Sequence, residues 1–283
     1  NGDDGPDFTN NAENCYHVFY HPSALSLTSS AILNGFTITG GNANGDYPHD
    51  AGGGMYNSAS SPTLTNCTFV ENMASHNGGG IYNISSSSTG LTNCLMTHNR
   101  AGWGGGMANV SSSPILIKCV FSDNYSSGDG GGMANSSSRP ILNSCAFVNN
   151  IAHGGGGIVN FESVSVFTNC TFSGNTSSSN GGAMMNINTG LKITNCTFSG
   201  NSTVSGRGGG IYNNNAESIL TNSIMWGDTP EEIFIAYGDS ADVAYSDIQG
   251  SYVGEGNINL DPLFVDQANG DFHLSSNSPA IDT

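Results

Sequence analysis

Basic residues are scarce in this chain. Five Lys and Arg stand against 22 Asp and Glu in 283 residues, a formal net charge of −17. No basic stripe exists to neutralise phosphates, so nucleic acid is disfavoured as a partner, and an anionic membrane surface with it. Charge of either sign is thin, at 10% of residues, and the apolar spacing of a sustained amphipathic helix occurs nowhere. This disfavours helical solenoids, whose repeats run to roughly 33–47 residues and are rich in Leu, Ala, Glu and Lys. There is no transmembrane run, signal peptide, lipidation site or initiator Met. The chain starts mid-pattern, which predicts a processed or excised piece. Cys-x-x-Cys pairs, phosphate loops, nucleophile–His–Asp spacings and complete calcium loops are all missing.

What is abundant is Gly, at 40 residues, together with Asn, Ser and Thr. A Gly-Gly pair, one or two small or apolar residues and an Asn recur seven times, closing at Asn57, Asn83, Asn109, Asn135, Asn160, Asn186 and Asn213. The steps are 26, 26, 26, 25, 26 and 27 residues. Cys67, Cys94, Cys119, Cys145, Cys170 and Cys196 keep the same beat, with Ser223 in the seventh place. A period this regular means that each repeat is one unit stacked on the next. Gly, Asn and Ser favour turns, and short alternating apolar pairs favour strands. Each coil thus predicts three short strands: one carrying Leu64, one carrying Cys67 and Phe69, one carrying Ile81. Stacking would build an aliphatic column (Leu64, Leu91, Leu116, Leu142, Phe167, Ile193), a Cys column and a mostly aromatic column (Phe69, Met96, Phe121, Phe147, Phe172, Phe198, Met225). Asn66, Asn93, Asn169, Asn195 and Asn222 form one Asn ladder, interrupted by Lys118 and Ser144; Asn72, Asn99, Asn124, Asn150, Asn175 and Asn201 form another. Ladder geometry accounts for sequons such as Asn66-Cys67-Thr68 without glycosylation. The column cysteines are expected to be buried free thiols, because parallel Cβ atoms about 4.8 Å apart exceed the ~3.8 Å that a disulfide prefers. Cys15 belongs to an irregular first coil and is not placed by the pattern.

Phe172-Ser173-Gly174-Asn175 and Phe198-Ser199-Gly200-Asn201, with Gly181-Gly182-Ala183-Met184, resemble the repeat of polymorphic outer-membrane proteins and related bacterial surface β-helices. Asp261-Pro262-Leu263-Phe264-Val265-Asp266, Gly270-Asp271-Phe272-His273-Leu274 and Ser278-Pro279-Ala280-Ile281-Asp282 resemble the closing segment of large secreted bacterial proteins with right-handed, pectate-lyase-like β-helices. The resemblance spans about residues 32 to 283. It implies an all-β, single-stranded right-handed parallel β-helix on a bacterial cell surface or outside the cell. It says little of activity, since this fold hosts lyases, hydrolases, epimerases, adhesins and passive stalks.

The expected organisation is an irregular N-terminal coil over 1–31, a regular body over 32–227, and C-terminal coils with an acidic cap over 228–283. Residues 58–227 hold five acidic and five basic residues, whereas residues 1–57 hold six acidic and 228–283 eleven acidic residues with no Lys or Arg. Acidic ends suit solubility and suppress end-to-end strand stacking. In the cap, Leu263-Phe264-Val265 would plug the core while the carboxylates face water. A sharper reading makes Asp3, Asp4 and Asp7, and the carboxylates of 228–282, ligands for Ca²⁺, with no other cofactor expected.

Chemistry could live in the loop before each Gly-Gly pair, where Asp50, His76, Trp103, Asp129, His153, Asn180 and Arg207 would stack along one ridge. Trp103 and His76 are the candidate carbohydrate contacts. Asp129 and His153 could transfer protons, and Arg207 could hold a carboxylate. Ordinary solvated loop residues explain the same positions. A polyuronide lyase would need a Lys or Arg base beside a calcium cluster, yet Lys118 sits in a ladder position and Arg139 at a corner before Pro140. The leading expectation is therefore an extracellular structural or adhesive β-solenoid without catalysis. The alternative is a polysaccharide-binding or polysaccharide-degrading β-helix, a lyase or glycoside hydrolase, using the ridge between 76 and 207.

Overall fold

A computed structural model describes residues 15–237 and 241–281. Among them, the strands of successive coils pair in parallel, and nine rungs stack on the face that carries the Phe column. At ~4.8 Å per rung the stack is about 40 Å long. The coils up to residue 177 hold four strands each rather than three: Ile81–Ile84, Gly90–Thr92, Leu95–Thr97 and the two-residue Arg100–Ala101, for instance; from there on the first two fuse into one, as in Met184–Thr194 and Ile211–Thr221. The fourth strand follows the buried ladder Asn. Too short to leave a periodic apolar signal, it carries only one buried small residue, such as Ala74 or Ala101.

The columns align as the period requires. Leu64, Leu91, Leu116, Leu142, Phe167, Ile193, Leu220 and Val243 are register partners in turn. Phe121, Phe147, Phe172 and Phe198 stack with centroids 4.6–5.2 Å apart and planes within 5–9°. The cysteines lie in corners, not in strands. Asn66, Asn93, Lys118, Ser144, Asn169, Asn195 and Asn222 turn each corner with φ of 51–56°, and a buried Cys follows, or Ser223 after Asn222. That left-handed corner is what selects Asn there; its side chains remain exposed and ladder only in part.

The fully buried ladders are elsewhere. The closing Asn of each Gly-Gly phrase passes an Nδ2–H···Oδ1 bond of 2.9–3.0 Å from Asn57 through Asn83, Asn109, Asn135, Asn160 and Asn186 to Asn213. In the second ladder both N–H and Nδ2–H of each Asn donate to the next Asn Oδ1, while Nδ2–H also donates back to a carbonyl of the Phe-column residue one coil earlier. Each amide is satisfied inside an apolar tube, where an unpaired one would cost about 1–3 kcal/mol. The Gly phrase is set by backbone proximity. Gly104 has φ +68°, and a Cβ on Gly105 would lie 2.5 Å from the carbonyl oxygen of Gly131 in the next coil.

The C-terminal region departs from expectation in its cap, not in its added strands. Ile233–Ile235 and Ala241–Ala244 add further parallel rungs to the long strand Ile211–Thr221. Ile233, Ile235 and Tyr252 close that end of the core. Leu263 and Val265 are not a plug: they are 40% and 58% exposed. They belong to an antiparallel hairpin, Phe264–Asp266 with Asp271–Leu274, which runs back along the outside of the Phe face, where Gln267 Nε2 donates to Ser199 Oγ at 2.7 Å. Nor do all the carboxylates face water, since Asp228, Glu232 and Asp247 are buried.

Candidate functional site: the loop ridge

The ridge loops fold over the outer surface of the Asn-bearing strands. In those strands Met55, Ile81 and Met107 point into the core, whereas Tyr56, Tyr82 and Ala108 point outward and are buried nonetheless. The loops cover them. Isolated bridges between Asn77 and Trp103 and between Asp129 and Gly154 tie successive loops together, so the ridge does stack.

Along it, side chains close in pairs between neighbouring coils. Asp50 Oδ2 lies 3.2 Å from His76 Nδ1, and Asp129 Oδ1 lies 3.3 Å from His153 Nδ1. Asn180 Oδ1 accepts from the Arg207 backbone N–H at 3.0 Å. The Arg207 guanidinium donates from Nε to Glu231 Oε1 at 2.8 Å and lies 4.2 Å above the centre of the Phe234 ring. The three candidate catalytic residues therefore do not form one group. Asp129 and His153 meet; Arg207 sits two coils beyond His153, about 10 Å along the axis, and is turned toward the C-terminal end.

Trp103 is half-buried. It packs against Ala51, Tyr56, Tyr82 and Ala108 on one side and against Ala134, Val159 and Met185 on the other. Ala108 and Ala134 occupy the register positions held by Tyr56 and Tyr82 in earlier coils. The indole fills the space that their small side chains leave. His76 and His153 keep side-chain exposures of 70% and 63%, so their imidazoles are open groups on the ridge.

At the N-terminal end the ridge meets an aromatic and imidazole cluster that the repeat pattern does not signal. His17 Nε2 and His49 Nδ1 are 3.0 Å apart, His17 Nδ1 contacts the Gly52 carbonyl at 2.9 Å, and Tyr16 and Tyr20 stack on His49 and His17. Burial, and next the neighbouring His49, outweigh the Gly52 bond and hold the His17 pKa below its usual value. Cys15 enters this coil half-buried, its carbonyl accepting from the Asn42 N–H. Among the described residues no group of three or more His, Cys, Asp or Glu is arranged to hold a metal ion. The calcium candidates Asp3, Asp4 and Asp7 lie outside the described residues. Among the described residues no helix is long and apolar enough to cross a membrane.

At the C-terminal end the second Asn ladder terminates on an acid. Asp228 follows Met225 by three residues, as each ladder Asn follows its Phe-column residue, and extending the column would have found it. Its Oδ1 accepts from Asn201 N at 2.7 Å and Nδ2 at 2.8 Å, and its own N–H donates to Glu232 Oε1 at 3.2 Å. Burial lifts Asp228 to about 6; burial and then the Asp228 charge lift Glu232 to about 10.

The family model described as the right handed beta helix region matches residues 8–177. The Chlamydia polymorphic membrane protein repeat matches residues 195–214. Neither a curated protein nor a solved structure matches the chain. Stacked parallel rungs, continuous side-chain columns and a family match over more than half of its length make the chain a member of the right-handed β-helix family.

Proposed function

We propose that the chain is a structural or adhesive β-solenoid of a bacterial outer surface or extracellular matrix, without catalysis. One observation carries this reading. The ridge is a variable strip of the repeat, and its side chains are engaged with neighbouring coils: Asp50 with His76, Trp103 with two apolar clusters, Asp129 with His153, Arg207 with Glu231. Groups held this way stiffen the stack instead of converging on a ligand. The match to the Chlamydia polymorphic membrane protein repeat supports a place on the bacterial outer surface.

A second reading, polysaccharide binding or cleavage, is favoured by the Asp129–His153 pair. There a carboxylate orients an exposed imidazole, an arrangement suited to proton transfer. Incubation with uronate-rich polysaccharides, following the unsaturated product, separates the two. The structural reading expects no product. Product formed by the wild type and lost in Asp129→Asn or His153→Gln would replace it with the catalytic one.

A further inference from the structure

The acid at the end of the buried ladder is out of character with the six amides before it. Each ladder Asn uses Nδ2 to donate to a carbonyl one coil back, as Asn201 does to Phe172 O at 3.0 Å. Asp228 has no such donor when ionised. The Cβ positions of Gly54 and Gly80 lie 3.1 and 3.4 Å from the amide nitrogens of Asn72 and Asn99; that of Gly210 lies 2.7 Å from Asp228 Oδ2. Asp228 Oδ2 thus takes the place of the amide nitrogen, turned toward a position that calls for a donor. Both Asp228 and Glu232 are 5% exposed, and Asp228 Oδ2 and Glu232 Oε2 are enclosed without a hydrogen-bond partner.

Among the described residues no cation compensates them. On their own turn, Glu231 faces away to Arg207 Nε and the Gly208 N–H. From the preceding coil, Arg207 is engaged by that carboxylate and by Phe234. From the following coil come Asp247, itself buried with one oxygen unpartnered, and Tyr252, both raised chiefly by burial. From the returning C-terminal segment comes Gln267, with Asp266 beside it. Beyond Arg207 the chain has no Lys or Arg. His273, the one His past that point, is exposed and paired with Asp271.

We propose that Asp228 and Glu232 form a proton-holding lock that ends the buried Asn ladder, keeping the last full turn closed in mildly acidic surroundings and loosening it as they become alkaline. The strand that would loosen is Ile233–Ile235, which among the described residues pairs on one side only, with Ile211–Asn213, and covers the end of the core. Opening would expose the end of the apolar tube beside Ile211 and Met225.

The sign follows from the raised values. Folded Asp228 and Glu232 bind protons more tightly than they do unfolded, so their contribution is complete below about pH 4. It falls as pH rises through about 6, the Asp228 value, and goes on falling toward about 10, the Glu232 value. The test is hydrogen exchange of residues 228–235 in the full chain at pH 5 and pH 8.5, corrected for intrinsic exchange, with thermal midpoints at both. Wild type is expected to lose protection by on the order of tenfold or more at the higher pH. Asp228→Asn restores the ladder amide and removes one of the two causes that raise Glu232, so it is expected to reduce that loss and to raise the midpoint at pH 8.5. Glu232→Gln, which keeps a permanent donor beside Asp228, is expected to reduce the loss, and it decides the matter if Asp228→Asn fails to fold. Equal pH dependence in wild type and Glu232→Gln overturns the lock. So does recovery of wild-type protection at pH 8.5 on adding Ca²⁺ alone, which would make the pair a cation site.

Discussion

Both amide hydrogens and the carbonyl oxygen of Asn124 are engaged: Nδ2 donates to Met96 O and Asn150 Oδ1, and Oδ1 accepts from Asn99 N and Nδ2. Asn124→Ala would strand the Asn99 N–H and the Met96 carbonyl in an apolar tube. A loss of roughly 3 kcal/mol is expected in denaturant unfolding. Asn124→Asp would copy the Asp228 arrangement into mid-column, and its loss is expected to be larger at pH 8 than at pH 5. The cysteines behave differently. A buried hydroxyl is costly only when unpaired, and Ser223 shows how the corner pairs one: its Oγ donates to Thr221 O at 2.9 Å and accepts from Cys196 N at 3.1 Å. Cys119→Ser would find the Ile117 carbonyl, which Cys119 Sγ already contacts at 3.5 Å. Its expected cost is therefore under about 1 kcal/mol, comparable to one net hydrogen bond, and a loss several times larger would show that the corner cannot accept a hydroxyl in mid-column.

At the scale of the element, the coil depends on backbones meeting without side chains between them. Gly105→Ala would place a Cβ 2.5 Å from the carbonyl oxygens of both Gly131 and Tyr125, whereas the same change at Gly90 meets nothing within 4 Å. Gly105→Ala is expected to destabilise by about 3 kcal/mol or more and Gly90→Ala to be neutral or slightly stabilising, as thermal unfolding of the two would show. Trp103→Ala is expected to lower stability by about 2 kcal/mol, because the indole packs on the two clusters flanking Ala108 and Ala134. The inward columns were legible in the sequence because one residue type recurs on a fixed beat. The fourth strand was not, since two residues such as Arg100-Ala101 carry no period. The ridge was legible as a strip but not as a set of pairs: whether Arg207 turns to His153 or to Glu231 depends on side-chain direction, which spacing does not encode. Asp228 was readable in principle, as an acid where the column predicts Asn, but its partner Glu232 became visible only when the turn at 227–232 brought the two together.

At the scale of the whole molecule, a solenoid has two ends, and each must cover a slice of open core. The acidic tail offers two ways to do so at the C-terminal end, by its additional rungs or by its hairpin. The core is closed by Ile233 and Ile235, in an added rung, and by Tyr252, in the turn segment after the last one, while the hairpin 264–274 lies along the side. The Asp247 carboxylate, which accepts from the Leu260 N–H at 3.1 Å, marks where the last rung is tied off. A chain ending after residue 260 would keep every residue that closes the core, whereas one ending after 227 would lose them and uncover Ile211, Leu220 and Met225, whose partners in the next rung are Ile233, Val243 and Ile248. Unpaired strand edges beside exposed apolar side chains are templates for association. The 1–227 chain is therefore expected to associate, and the 1–260 chain to stay monomeric with an unfolding midpoint close to that of the full chain, as light scattering and thermal melts would record. Association of both would assign the covering role to the hairpin and give its carboxylates, Asp266 and Asp271, the task of repelling a second copy.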